Sequence, residues 1–410
     1  MKTEIIEGLL VLKVDMVATL AIAILLLLLG YWIIKKVSFL RKFCIPAPVI
    51  GGLLFSILTL ILKQSNLLTI DMDTTFQSPF MIAFFTTIGL GASFKLLKKG
   101  GKCLVIYWIL CGVLAISQNV IGVVFAKITG IHLMFGIMAG SVSMEGGHAA
   151  AAAFGKTAET MGVSGAKTVA IAAATFGLIC GGLIGGPIAK GLIDKYKLKP
   201  STISEYDTTS YDEVVNDENS SKITTKIIMI HLAVITVCMT IGSIVSEWFS
   251  NVTGLSLPGY VGAMFIAVIF RNINDKKHIV KLNFNLIDLM GNTCLGIFLS
   301  MALMTLKLWE LSGLAGPLLI IVIAQVVFMI LYTTFVVFKL VGKDFDAAVM
   351  AAGMAGHGLG ATPNAIANMS AVTEKYGQSA KAFLIVPLVG AFLIDVIGIP
   401  TIVLFMNLFK

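Results

Sequence analysis

The chain has 410 residues, 57% hydrophobic and 13% charged, with a mean hydropathy of +0.95. Soluble domains carry roughly 25% charged residues, so lipid must be the solvent for most of this surface. A soluble enzyme, a nucleic-acid binder and a secreted disulfide scaffold are excluded. The formal charge of +8 is read as cytoplasmic loop charge. The six cysteines (Cys44, Cys103, Cys111, Cys180, Cys238, Cys294) form no C-x-x-C pair and read as small hydrophobes.

In chain order, the first half holds six apolar stretches, near residues 16–35, 45–63, 79–94, 103–126, 133–154 and 166–189. The first is long for the core of a cleaved signal peptide, and its repeat partner argues that it is retained. The second half repeats the pattern. Leu20-Ala21-Ile22 returns as Leu232-Ala233-Val234, Gly30 as Gly242, Pro46 as Pro258 and Lys95-Leu96 as Lys307-Leu308, each at a shift of 212. Gly147-His148 meets Gly356-His357 at 209, and Gly177, Gly185 and Pro187 meet Gly390, Gly398 and Pro400 at 213.

If all six stretches crossed the bilayer, positive charge would fall on both faces. Lys35, Lys36, Arg41 and Lys42, with Lys95, Lys98, Lys99 and Lys102, mark one face as cytoplasmic, while Lys190, Lys195, Lys197 and Lys199 would lie opposite. The conflict vanishes if the fifth stretch dips in and returns. Residues 136–154 are rich in Gly, Ala and Ser and carry Glu145 and His148; irregular backbone at membrane depth survives only inside protein or against a polar cavity. Five crossings per half then invert the second half relative to the first. Arg271, Lys276, Lys277, Lys281, Lys339 and Lys343 fall inside, and the loop around 250–255 falls outside. The expected fold is an all-α polytopic membrane protein of two inverted-topology repeats, each of five transmembrane helices plus one re-entrant loop. The first repeat spans 1–192 and the second 226–410. Between them, residues 193–225 form a polar cytoplasmic linker holding Glu205, Asp207, Asp212, Glu213, Asp217 and Glu218. The N-terminus lies outside.

Two segments at matching places in the repeats carry candidate chemistry. One is Ser141-Val142-Ser143-Met144-Glu145-Gly146-Gly147-His148. The other is Gly356-His357-Gly358-Leu359-Gly360-Ala361-Thr362-Pro363-Asn364, extended to Asn368. Glycine lets backbone leave the helical region, and Pro363 breaks or starts a helix. Broken helices in mid-membrane turn positive N-terminal ends towards anions, and their freed carbonyls coordinate sodium. The pairs Gly177/Gly181 and Gly182/Gly186 read instead as close helix packing. Glu145 and His148, three apart, would face each other on a continuous helix. That pair serves either ion, proton or substrate contact, or a buried structural role. Asp395, deep in the last apolar run, reads as a cation or substrate-network group. Asp288 reads as a helix-start charge, and His132 and His231 as interfacial. Asn364, Asn368, Thr362, Ser141 and Ser143 hydrogen-bond either a substrate or a neighbouring helix. Enzyme motifs are absent; Gly165-Ala166-Lys167-Thr168 only imitates a phosphate loop.

Outside the first dozen residues and the linker, the chain resembles the bacterial sodium/glutamate symporter family. The resemblance rests on Val37-Ser38-Phe39-Leu40, Ile45-Pro46-Ala47-Pro48-Val49, Gly51-Gly52-Leu53, Phe84-Phe85-Thr86-Thr87-Ile88-Gly89-Leu90 and Ala174-Thr175-Phe176-Gly177-Leu178. It continues through Gly181-Gly182-Leu183-Ile184-Gly185-Gly186-Pro187, Met301-Ala302-Leu303-Met304, Leu306-Lys307-Leu308-Trp309-Glu310-Leu311 and Gly358-Leu359-Gly360-Ala361-Thr362-Pro363. It implies a secondary active transporter, not an enzyme, in the bacterial cytoplasmic membrane. It implies sodium-coupled symport of L-glutamate by elevator-like alternating access, a homodimer in the lipid bilayer, co-transported sodium, no prosthetic group and no nucleic-acid partner.

The candidate substrate site is Ser141, Ser143, Glu145, Gly146, Gly147, His148, His357, Gly358, Gly360, Thr362, Asn364 and Asn368, and the candidate sodium ligands are Asp395, Gly356 and Ala361; of these the resemblance carries over Gly146, Gly147, His148, Gly358, Gly360, Ala361, Thr362, Asn368 and Asp395. Where the family carries a serine this chain has Glu145, and alanines replace a Gly-Thr pair after His148. His357 replaces an apolar aromatic and Asp288 a small polar residue. A carboxylate beside a dianionic substrate repels it by several kcal/mol at low dielectric. Unless His148 or His357 neutralises Glu145, another amino acid or organic anion is the alternative substrate. A membrane receptor that binds without transport is the alternative of another class.

Overall fold

The computed structural model describes residues 2–6, 9–42, 45–93, 101–200, 224–254, 257–311 and 313–409. Strands β1 (Lys2–Ile6) and β2 (Leu9–Val14) lead into α1 (Met16–Lys36), α2 (Ser38–Lys42) and α3 (Ala47–Gln64). Then come β3 (Thr69–Met72), α4 (Gln77–Gly91) and α5 (Gly101–Thr129). Three pieces of one interrupted stretch follow, α6 (Leu133–Met138), α7 (Ser141–Met144) and α8 (Gly147–Thr160), before α9 (Ala166–Tyr196). The second half runs α10 (Thr225–Thr253), α11 (Gly259–Lys277), α12 (Phe284–Met304) and α13 (Ala315–Val341). It continues with α14 (Phe345–His357), α15 (Thr362–Tyr376), α16 (Ala380–Leu388), a π-helical turn at Val389–Leu393, and α17 (Ile394–Leu408).

Seven of these helices, α1, α3, α5, α9, α10, α12 and α13, are long and apolar enough to cross a membrane. Their lengths follow from the ~20 apolar residues a bilayer core demands. Asp15 caps α1, accepting from the backbone N–H groups of Ala18 at 3.0 Å and Val17 at 3.1 Å, and these bonds hold its carboxyl below the usual range. Pro46 and Pro258 cap α3 and α11 without a side-chain bond. Their fixed φ suits a helix start.

The fully α expectation needs one correction. A three-stranded sheet precedes and flanks the first helices: β1 pairs antiparallel with β2, and β2 pairs parallel with β3 in the register Val11↔Thr69 to Val14↔Met72. The segments are too short to span a bilayer, and α1 and α3 return the chain to the end where it began. The parallel partner is therefore supplied by a crossover that hydropathy alone does not reveal.

The helices sort into two packed groups. In one, α1, α3 and α4 pack with α10, α11 and α12. Its outer face is apolar: Leu25, Leu28 and Trp32 of α1 and Val237, Ile244 and Trp248 of α10 are all exposed. A buried polar cluster closes its other end. Arg271 of α11 donates to the Leu90 carbonyl at 3.1 Å and pairs with Asp275 at 2.8 Å, while Asn272 donates to Ala92 at 3.0 Å. His231 is buried within the protein: its Nδ1 bonds the Ile227 carbonyl at 2.8 Å and its Nε2 accepts from Asn283 N–H at 2.8 Å. This ring ties α10 to the start of α12, which sequence position alone does not disclose.

The second group holds α5 to α9 and α13 to α17 around the main apolar cluster. Helices α8 and α14 lie at its centre; every residue of α14 from Ala347 to His357 is buried. A helix apolar all round belongs in an interior, and small side chains let its neighbours approach. Asp288 is exposed in the second turn of α12, beyond the first turn in which a helix-start charge acts. Cys44 and most of the linker (201–223) lie outside the described residues.

Candidate functional site

Both glycine-rich segments break their helices. In the first, α7 ends at Met144, Glu145 and Gly146 form the break, and Gly147 opens α8 at φ +59. In the second, α14 ends at His357, residues 358–361 turn, and Thr362-Pro363 start α15. Helices α14 and α15 fold back against each other: Asn368 donates to the Ala352 carbonyl at 3.2 Å, and a Cβ at Gly356 would lie 2.5 Å from the Ala365 nitrogen.

The two breaks meet. A Cβ at Gly147 would lie 2.8 Å from the Gly360 carbonyl oxygen, closer than any side chain tolerates. Helix α9 backs both: Gly177 faces the Leu359 carbonyl and Met144 sulfur, Gly181 faces the Ala355 carbonyl, and Gly185 faces Asn368. The packing role expected of Gly177 and Gly181 holds and extends to Gly185. Gly186 faces open space.

Neither α8 nor α15 has a side-chain cap at its N-terminus. The start of α8 at Gly147 therefore meets the turn that leads into α15, at the Gly360 carbonyl; neither helix start is served by a capping side chain, and helix dipoles at such starts favour an anion.

The polar residues named from the sequence divide by what they bond. Asn364 donates to the Leu178 carbonyl at 2.7 Å and Asn368 to Gly181 at 2.9 Å. Thr362 donates to Gly390 at 2.6 Å, and Ser143 donates to Ala170 at 2.7 Å and also to Met138. Ser141 uses its N–H and its hydroxyl on Asn119 Oδ1, both at 3.0 Å. These five hold the breaks against α5, α9 and the α16–α17 turn, so their hydrogens go to helix joints rather than into open space.

Glu145 and His148 do not form the expected pair, because the left-handed Gly147 between them ends the helix that would have aligned them. His148 Nε2 lies 3.0 Å from Thr175 Oγ1, whose own proton goes to Ile171 at 2.9 Å. The His148 Nε2–H is therefore the donor. Glu145 turns towards α5 and α17. A Cβ at Gly398 would lie 3.9 Å from its Oε2, and Asp395 stands one turn earlier on α17. His357 Nε2 meets the Tyr107 hydroxyl at 2.8 Å. Gly146, Gly147, Gly358, Gly360 and Ala361 all lie in the breaks or their first turns, while Gly356 lies inside the hairpin contact.

Sequence reasoning missed the partners on α5 and α13. Gln118 donates to the Gly358 carbonyl at 2.6 Å and Gln325 to the Gln118 carbonyl at 2.7 Å. The signal was available: Gln118-Asn119 and Gln325 are amides inside apolar runs, where polar side chains need a partner. Between the two helix groups lies a cavity of about 570 Å³, lined by Lys63, Lys156, Lys167 and Lys307 together with Asp71, Glu159, Gln77 and Thr305. Lys167 donates its Nζ to Thr305 at 3.1 Å and its N–H to Glu159 at 3.1 Å, which accounts for the false phosphate-loop pattern.

Comparison with known proteins shows the family of the chain. The sequence profile described as sodium/glutamate symporter matches residues 12–378. The sodium/glutamate symporter of Escherichia coli (strain K12) is 42% identical over 396 residues, 96% of this chain and 98% of that one. That of Haemophilus influenzae is 43% identical over 381 residues, 93% and 94% of the two chains. Among solved structures, a sodium proton antiporter of Methanocaldococcus jannaschii aligns over 95% of each chain with a TM-score of 0.42 and 14% identity. The chain belongs to the sodium/glutamate symporter family, whose members are transporters and not enzymes.

Proposed function

We propose that this protein couples the inward movement of sodium to uptake of L-glutamate, by alternating access of a site at the meeting of its two broken helices. The observation that carries the reading is the contact between Gly147, at the start of α8, and Gly360, in the turn that leads into α15. The backbone N–H groups of Gly147 and His148 at the start of α8 and of Thr362 at the start of α15 hold the substrate carboxylates, while Gly146, Gly358 and Gly360, whose N–H groups bond Ser141, Met354 and His357 carbonyls, shape the breaks. Ser141, Ser143, Thr362, Asn364 and Asn368 fix the geometry of those breaks. Sodium takes the carbonyl oxygens of Gly356 and Ala361, the second also accepting from the Asn364 and Ala365 N–H groups, with Asp395 supplying negative charge. The cavity between the helix groups, with four lysines against Asp71 and Glu159, carries a net positive charge that draws the anion in.

Two inverted repeats build the site, 1–192 and 226–410, joined by the cytoplasmic linker 193–225. Their support is element by element: α1 corresponds to α10, α3 to α11, α4 to α12, α5 to α13, the first broken hairpin to α14–α15, and α9 to α16–α17. Each hairpin enters and leaves the membrane on one side, and the N-terminus lies outside. The α5–α9 and α13–α17 group moves as the elevator against the α1–α4 and α10–α12 scaffold, whose apolar outer helices meet lipid and the second copy of a homodimer. Uptake of labelled L-glutamate into proteoliposomes tests this. An inward sodium gradient should drive accumulation, and a potassium gradient of equal size should not. Absence of sodium-driven flux for any amino acid or carboxylate overturns the reading.

A further inference from the structure

Beside the meeting point of the breaks, three side chains from three elements converge. The Cys111 sulfur, a Glu145 carboxylate oxygen and a His357 ring nitrogen all lie within 4.8 Å of one another. Cys111 and His357 are 1% and 2% exposed. Glu145 Oε1 and His357 Nδ1 are buried and have no hydrogen-bond partner among the described residues. A carboxylate oxygen and an imidazole nitrogen left without partners on two side chains gathered around one thiol are costly in a dry interior.

We infer that Cys111, Glu145 and His357 form a binding site for a soft divalent transition-metal ion of the zinc class. The donor set decides the class. Sodium takes hard oxygen ligands, whereas a thiolate, an imidazole and one carboxylate are the ligands zinc takes. Charge agrees as well: a thiolate and a carboxylate balance a divalent ion, so the ligated group enters low dielectric neutral. The thiol proton of Cys111 is released to solvent as the ion binds. The second layer of the site is already built. Tyr107, one turn before Cys111 on α5, meets His357 Nε2 at 2.8 Å and leaves Nδ1 for the metal, the arrangement that orients a ligating imidazole. Three protein ligands leave a fourth position open. An ion here joins α5, α7 and the tip of α14, and so locks the second broken hairpin to its neighbours.

Cobalt reports on the site directly. The purified full chain, titrated with Co²⁺ in detergent, should bind one equivalent with a near-ultraviolet thiolate-to-cobalt absorption that Zn²⁺ abolishes by displacement. The absorption should persist in a chain keeping Cys111 as its single cysteine and vanish in Cys111→Ser and in Cys111→Ala. Glu145→Gln and His357→Gln should each lower affinity more than about tenfold. Tyr107→Phe should lower it about 10–100-fold while leaving the absorption spectrum in place, the behaviour of an outer partner that positions the ring. Three results overturn the inference: no thiolate absorption from the folded wild-type chain, an absorption unchanged in Cys111→Ser (an adventitious ion at another cysteine), or affinity unchanged in both Glu145→Gln and His357→Gln. The assay reads metal and not flux, so its failure leaves the carrier proposal standing.

Discussion

Replacing Gly147 by alanine tests whether the contact between the two breaks governs transport. Two costs arise. Gly147 sits at φ +59, and a residue with a Cβ in left-handed backbone costs about 1–2 kcal/mol. The new Cβ would also lie 2.8 Å from the Gly360 carbonyl oxygen, so the breaks must separate by several tenths of an ångström; overpacking of this kind costs about 1–3 kcal/mol. Gly130 isolates the first cost, because it sits at φ +74 with nothing within 4 Å of its would-be Cβ. The difference between the two variants is therefore the contact, and about 1–3 kcal/mol corresponds to a 5–150-fold fall in the docked population. Sodium-driven uptake into proteoliposomes, with thermal unfolding measured in detergent, reads both. Gly130→Ala should lose a little stability and no transport, whereas Gly147→Ala should lose transport well beyond its share of stability. Equal transport and equal unfolding temperatures for the two variants would refute the reasoning.

Asn368→Ala removes the bonds to Gly181 and Ala352; denaturation in mild detergent should show a loss of about 0.6 kcal/mol, up to ~1.7, and no loss would mean that the hairpin is held elsewhere. Asp395→Asn should weaken the dependence of uptake on sodium concentration, and an unchanged sodium titration counts against its cation role. Lys156→Gln with Lys307→Gln removes two of the cavity's positive charges. The pair should raise KM for an anionic substrate at low salt and converge on wild type at high salt, while a salt-independent change would point to packing instead. Asp15 has a carboxyl held below its usual range by Ala18 and Val17 N–H groups. Its capping of α1 is complete above the ordinary carboxylate pKa and is lost as pH falls through the lowered folded value. Amide exchange at residues 17 and 18 should accelerate over that acid window, and a flat profile would remove the cap from the account.

Much of the architecture was legible in the residues themselves. Hydropathy locates α1, α3, α5, α9, α10, α12 and α13 because lipid satisfies no backbone group and so enforces helices of bilayer length. Both helix breaks were readable from Gly146-Gly147 and from Gly358 to Pro363, since φ freedom and a missing N–H act on the chain locally. The sheet was not, because β2 and β3 meet only after three helices intervene.

Which polar atoms face one another was decided by tertiary structure alone. Sequence spacing paired Glu145 with His148, yet folding sets Glu145 beside Cys111 and His357 and gives His148 to Thr175. Asn364 and Asn368 find their acceptors on α9, more than 180 residues away in the chain. Helical periodicity fixes which side chains share a face over a few turns. A partner on another helix depends on how the faces rotate and approach, and small residues such as Gly177 and Gly181 permit that approach without naming what will occupy it.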